Sequence, residues 1–141
     1  MKSANNTRLA LGFFFLIMAL VNLNFLLTNP GVYNTFTQNA LLPIYDQWWH
    51  DIVMPNLTLF LWVLVLFEVL IGFLLLGHGL YVKVGLIGAL FFTMLLMPAN
   101  PFTLLNIIFV VLCAALLGYD YETSFFDMLT GDDVEYLEET S

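Results

Sequence analysis

Four long apolar runs occupy most of this chain, and each has the length that carries an α-helix across a bilayer. They are Leu9–Thr28, Leu57–Gly77, Leu80–Met97 and Phe102–Gly118, against the roughly 17–25 apolar residues that a spanning helix needs. The signal Asn29-Pro30-Gly31 closes the first run, Pro55 precedes the second and Pro98 stops the third. Asn100 suits an N-cap for the fourth, with Pro101 at its first helical position. The links Gly77-His78-Gly79 and Pro98–Pro101 are too short to hold a domain, so neighbouring spans are expected to pack as antiparallel hairpins. The fold class expected is an all-α membrane protein. It comprises a four-helix antiparallel transmembrane domain over residues 1–118 and an acidic tail over 119–141.

Composition agrees. The 141 residues are 61% hydrophobic and 10% charged, with a mean hydropathy of +0.91. A soluble fold of this size has too little interior to hide that much apolar surface. The formal charge of −8 is local. Asp120, Glu122, Asp127, Asp132, Asp133, Glu135, Glu138 and Glu139 all follow the last apolar run. No nucleic-acid partner is expected; the expected partners are the lipid bilayer and other protein chains, or further copies of this one.

Three basic residues set the orientation. Lys2 and Arg8 precede the first span, Lys83 lies beside the second link, and segment 29–56 contains no Lys or Arg. The positive-inside rule then puts both ends of the four-span domain on the cytoplasmic side. The first span is too long for a signal peptide, and no small-residue cleavage site follows it. In the external segment, Ile44, Trp48 and Ile52 form one helical ridge from Pro43 onward, with Tyr45, Trp49 and Val53 beside it. A short in-plane helix over about 43–54 follows, serving as an interfacial anchor or as a lid over a site.

Glu68 is the informative residue. Counting about 1.5 Å per residue from Gly77 puts it roughly 13 Å from the cytoplasmic boundary. An ionised carboxylate there costs about 2.5–3.5 kcal/mol on insertion scales, so it must face the protein interior and find a partner, or keep its proton. Arg8 and Lys83 lie near the boundary, leaving no cation at its depth. Asn22, Thr93 and Asn106 fall at comparable depth on the other three spans, and the four are expected to form one polar layer. That layer is either hydrogen-bonding glue between helices or a site for a proton or a polar headgroup. Gly85 and Ala89, and Ala114 and Gly118, have the small-xxx-small spacing of helix contacts.

Several chemistries drop out. The lone Cys113 excludes an internal disulfide or a thiolate zinc cluster. His50 and His78 belong to opposite faces, which excludes a bis-histidine haem, and no metal-ligand cluster stands out. No phosphate loop, nucleotide fingerprint or nucleophile motif is present. The chain has no catalytic motif and no redox centre of its own, so it is at most one subunit of an enzyme. In the tail, Ser124 and Asp127 have capping-box-like spacing ahead of Phe125, Phe126 and Leu129. Acidic composition argues for disorder from Gly131 onward.

Two stretches carry a family resemblance. Arg8-Leu-Ala-Leu-Gly12, followed by an apolar run with Ala19 and Asn22, resembles the first helix of the DoxX-like membrane proteins. Phe67-Glu68-Val-Leu-Ile-Gly72, leading to Gly77, resembles the second. The likeness spans residues 8 to about 118 in span number and spacing, and the acidic tail departs from it. It implies a prokaryotic cytoplasmic membrane and a subunit linked to thiol or quinone redox chemistry. A bound quinone would then be served by Glu68, Asn22, Thr93 and Asn106. The alternative is a non-catalytic scaffold or assembly subunit; a small-solute carrier is disfavoured, because paired broken helices are missing.

Overall fold

The computed structural model describes residues 2–99 and 103–130. The chain is all-helical, and no strand occurs among the described residues. The long helices are α1 (Lys2–Thr28), α3 (Leu57–Leu76), α4 (Leu80–Leu96) and α5 (Thr103–Leu116). Two shorter ones, α2 (Pro43–Trp48) and α6 (Phe125–Thr130), flank them at opposite ends. Two helices are long and apolar enough to cross a membrane: α1 over Ser3–Thr28, and the continuous helical run Pro43–Leu76 that ends in α3. α3 packs along α1 on one side and against α4 on the other, and α4 packs on α5.

Small residues set how closely the helices approach. A Cβ on Gly12 would lie 3.2 Å from the Gly72 carbonyl oxygen, and one on Gly85 would lie 3.2 Å from the Leu75 nitrogen. Backbone cannot yield as a side chain does, so α1–α3 and α3–α4 meet where glycine stands. Ala89 is fully buried, as its spacing from Gly85 implies. The Ala114–Gly118 pair corrects the sequence expectation. Both residues are exposed, and a Cβ on Gly118 would meet only the carbonyl of Ala115 in its own turn. Spacing alone marks a small-residue face without saying which way it points.

Arg8 also departs from expectation. It lies at the α3–α4 turn, at the depth expected, but is fully buried there rather than free at a surface. Nη1 donates to the carbonyls of Leu75 (2.9 Å) and Gly77, Nη2 to that of Thr123, and Nε to Asn5 Oδ1 at 2.6 Å. The guanidinium carbon lies 5.0 Å from the centre of the Tyr121 ring. The physical reason is the end of α3, whose last carbonyls have no partner within the helix and carry the negative end of its dipole. A planar guanidinium with five donors satisfies several at once. Gly79, at φ 53°, turns the chain into α4 and donates its N–H to the Tyr121 carbonyl at 2.6 Å. The first helix, the α3–α4 turn and the segment after α5 are thereby tied at one place.

α1 begins well before Leu9 because Ala4 packs into the same core as Leu11, Leu116 and Tyr121. Its preceding turn is polar, so hydropathy gave no sign of it. α6 docks beside it, with the Phe125 ring edge-on to Phe13 at 5.1 Å. The capping box at 124–127 forms reciprocally. The Ser124 N–H donates to Asp127 Oδ2 at 2.8 Å, and the Asp127 N–H donates to Ser124 Oγ at 3.0 Å. Asn100 and Pro101, and the tail from Gly131, lie outside the described residues.

Two outcomes are expected. Arg8→Met leaves buried carbonyls unpaired, at about 1–3 kcal/mol each, so thermal unfolding in detergent micelles should fall steeply. Arg8→Lys should rescue little of it, because an ammonium cannot span the same carbonyls. The second concerns pH. The Ser124 N–H, then its hydroxyl, holds the Asp127 carboxyl below the usual aspartate value. A depressed folded-state value means the contribution is present above the unfolded value, about 3.9, and is lost as pH falls through the lower folded one. Amide protection of residues 124–130, corrected for intrinsic exchange, should therefore drop between neutral pH and about pH 3. Equal protection at both would count against the cap.

Candidate functional site

The apolar middle of α3 carries one carboxylate. Glu68 is 3% exposed, and its partner comes from α1. Asn22 Nδ2 donates to both Glu68 oxygens at 2.8 Å, while its Oδ1 accepts from the hydroxyl of Tyr33. With Glu68 ionised and so only accepting, the amide presents its NH₂ group to the carboxylate and its oxygen to the phenol. The three groups run one way, from phenol to amide to carboxylate. All three residues are buried.

Tyr33 belongs to a 3₁₀ turn over Pro30–Thr35, in the segment between α1 and α3. Its carbonyl accepts from Trp49 Nε1 at 3.0 Å, and the Trp49 ring lies 4.9 Å from that of Phe36. Thr37 Oγ1 donates to Asp46 Oδ1 at 2.7 Å, and the Leu41 N–H donates to the Pro98 carbonyl at 2.9 Å. This segment is a fixed roof. Of its two expected ridges, Tyr45–Trp49–Val53 turns inward, with Val53 buried, while Ile44, Trp48 and Ile52 remain exposed. Its helix is less regular than the sequence expectation. α2 passes into a π turn over Trp49–Val53 and a 3₁₀ turn over Met54–Asn56. The run stays helical into α3 but is locally distorted at Asn56 (φ −119°, ψ 26°), next to Pro55, which has no N–H to offer.

Beneath the roof lies a cavity of about 490 Å³, within the range of small-molecule sites. Its walls are chiefly Phe, Leu and Trp side chains, including Phe60, Phe67, Phe92 and Trp49. Glu68, Asn22 and Tyr33 reach it, as do Thr93 and Asn106. The four polar residues expected from depth therefore border one space. Asn22 and Glu68 are directly bonded, whereas Thr93 returns its hydroxyl to the Ala89 carbonyl of its own helix at 2.8 Å, the usual choice of a mid-helix threonine. Among the described residues, no group of three or more His, Cys, Asp and Glu is arranged to hold a metal ion.

Tyr33 escaped the sequence reading. The one available signal was an amphipathic ring placed just beyond the turn that ends α1, within reach of that helix's last turns. Comparison with protein-family models, with curated proteins and with solved structures gave no match.

Chemically, a buried carboxyl that borders a cavity can accept a hydrogen bond when ionised or donate one when protonated. Asn22 takes up one lone pair on each oxygen at most. Asn22→Leu should cost about 1–3 kcal/mol, because Glu68 loses its donor. Asn22→Leu combined with Glu68→Leu should recover much of that loss, the signature of a coupled pair. Denaturant unfolding of the two single variants and the double variant checks this, and strict additivity would contradict it.

Proposed function

We propose that the chain is a four-span membrane protein of DoxX-like type, with both ends of the four-span domain on the cytoplasmic side of a prokaryotic membrane. In this reading it holds the headgroup of a lipid-soluble quinone for a membrane redox assembly. The observation that carries the reading is the Tyr33–Asn22–Glu68 chain at the wall of an aromatic cavity.

Membrane residence is supported by what the helices leave uncovered. Ile17, Leu20, Leu59, Leu66, Ile87 and Ile108 are all exposed, on the four long helices. Soluble monomers rarely expose contiguous apolar patches of this extent, and helices apolar on every side belong in a core or a bilayer. The exposed ridge of Ile44, Trp48 and Ile52 suits the outer interface, where indole rings settle.

The donor set suits a quinone-type ring. A quinone offers carbonyl oxygens and its reduced form offers hydroxyls, and a carboxyl serves both by donating in one protonation state and accepting in the other. Flat aromatic walls provide offset or edge contacts for the ring. When bound, a quinone supplies the electron-accepting chemistry that this chain lacks, with electrons delivered by a redox centre on a partner protein. The chain's own contribution is to hold the head, orient it against Glu68 and keep water from it beneath the roof.

A second reading, as an assembly subunit, is favoured by one observation. Phe126 and Leu129 of α6 are exposed beside the docked Phe125. Changing both to Ser should release a co-purifying partner under that reading, while Glu68→Gln retains it.

The test of the first reading is quinone content. Protein purified in mild detergent should carry extractable quinone, and Glu68→Gln should weaken binding about tenfold or more, the equivalent of losing one hydrogen bond to a charged group. Wild-type affinity in Glu68→Gln would remove Glu68 as the headgroup ligand.

A further inference from the structure

Glu68, Asn22 and Tyr33 are buried while part of the cavity's apolar wall is exposed, and this bears on how a ligand arrives. α3 and α4 are held close near their turn, where Gly85 meets Leu74 and Leu75, and Gly88 meets Ile71. Toward the roof the residues between them are large. The Phe67 and Phe92 rings lie 5.2 Å apart, and beyond them Val63 on α3 and Phe91 and Leu95 on α4 line the cavity. These last three are 57%, 66% and 49% exposed. They touch both the cavity and the outside of the helices, while Glu68 and Asn22, which line the same space, are buried. The roof closes the approach from its own side through Trp49, Phe36 and the Leu41–Pro98 bond. Between α1 and α5, where the cavity-lining Phe14 and Leu105 are also exposed, the Phe14 ring packs 5.1 Å from that of Phe109.

The geometry points to lateral loading: an uncharged ring bearing a hydrocarbon tail enters from the bilayer between the outer halves of α3 and α4. Its head comes to rest at Glu68, and its tail stays in the cleft bordered by Val63, Phe91 and Leu95. The inference rests on the reading of the cavity as a headgroup site and adds the ligand's tail and its route. The cleft is the physical reason. Its walls carry no polar side chain, so a polar solute gains nothing there, while an alkyl tail passes from lipid to an equally apolar wall without meeting water. The tail leads outward along that wall, so the head keeps one orientation toward the carboxyl.

Quinones quench tryptophan fluorescence, and Trp48 and Trp49 line the cavity. The experiment uses the full chain in nanodiscs, with Trp62→Phe as background, titrated with a dimethoxy-methyl-benzoquinone head alone and with the same head bearing a decyl tail. Concentrations are expressed per lipid, so that partitioning cancels. The tailed compound should bind at least tenfold more tightly than the head alone, and its quenching rate should fall at least tenfold in Val63→Phe/Leu95→Phe, which narrows the cleft. Leu59→Phe, an exposed position outside the cavity, should load at the parent rate. Unchanged melting temperatures in both variants establish that each is folded; if the double variant melts early, Phe91→Trp, read by the rate of quench, replaces it. Glu68-dependent binding of both compounds with no tail preference and no slowing in the cleft variant would overturn lateral loading and leave the headgroup reading standing. No Glu68-dependent quenching by either compound would overturn both.

Discussion

The guanidinium of Arg8 is the constraint on which the arrangement depends. The end of α3 presents carbonyls that no helix can satisfy internally, and Arg8 satisfies two of them while also holding Thr123. One side chain on α1 thereby fixes where α3 stops, how the turn to α4 begins and where the chain after α5 returns. A group so fully used is expensive to remove and hard to replace, since hydrogen bonds to a charged donor exceed neutral ones. With this end tied and glycines lining its contacts, the bulky residues of α3 and α4 stand at the other end, and the cavity occupies the space they keep open.

Much of this organisation was legible in the sequence, for identifiable reasons. Run length and the proline and glycine punctuation fixed α3 and α4 to within a residue of their observed ends, because apolar helices have no competing use for those residues. Glu68 stood out because a carboxylate in such a run demands explanation. Asn22 was within reach by depth alone. What was not legible depends on direction. Depth put Thr93 comparable to Glu68, somewhat outward of it, but gave no indication that its hydroxyl turns back on its own helix, and Ala114–Gly118 had the right spacing on an outward face. Arg8 was read as a charge beside a membrane boundary; its true partners are main-chain carbonyls, which look alike in every sequence.

The roof shows the same division. Two parallel ridges were visible over 43–54, but only three-dimensional packing distinguishes the inward one. The deciding contact, Trp49 to the Tyr33 carbonyl, joins a helix to a 3₁₀ turn whose only sequence marker was the Pro30-Gly31 pair. Tyr33 in turn orients Asn22, so a residue outside the apolar runs sets the direction of the hydrogen bonds inside them. Continuity of the roof helix with α3 makes the roof part of the same body as Glu68 rather than a loosely tethered flap.

The distribution of cations limits what the cavity can hold. Arg8 is committed to carbonyls, and Lys83 pairs with Asp120 at 2.8 Å on the exposed surface near the α3–α4 turn. Among the described residues that line the cavity there is no Lys, Arg or His. An anionic ligand would therefore meet Glu68 and aromatic faces with nothing to offset its charge, and burying an unpaired charge is among the costliest changes a folded protein can undergo. A cationic ligand would have one carboxylate to pair with, but its path between α3 and α4 runs along purely apolar side chains. The arrangement favours a neutral molecule that can both give and take a hydrogen bond at one end. The carboxyl, oriented by Asn22, matches that chemistry, and the surrounding rings match the rest of such a molecule.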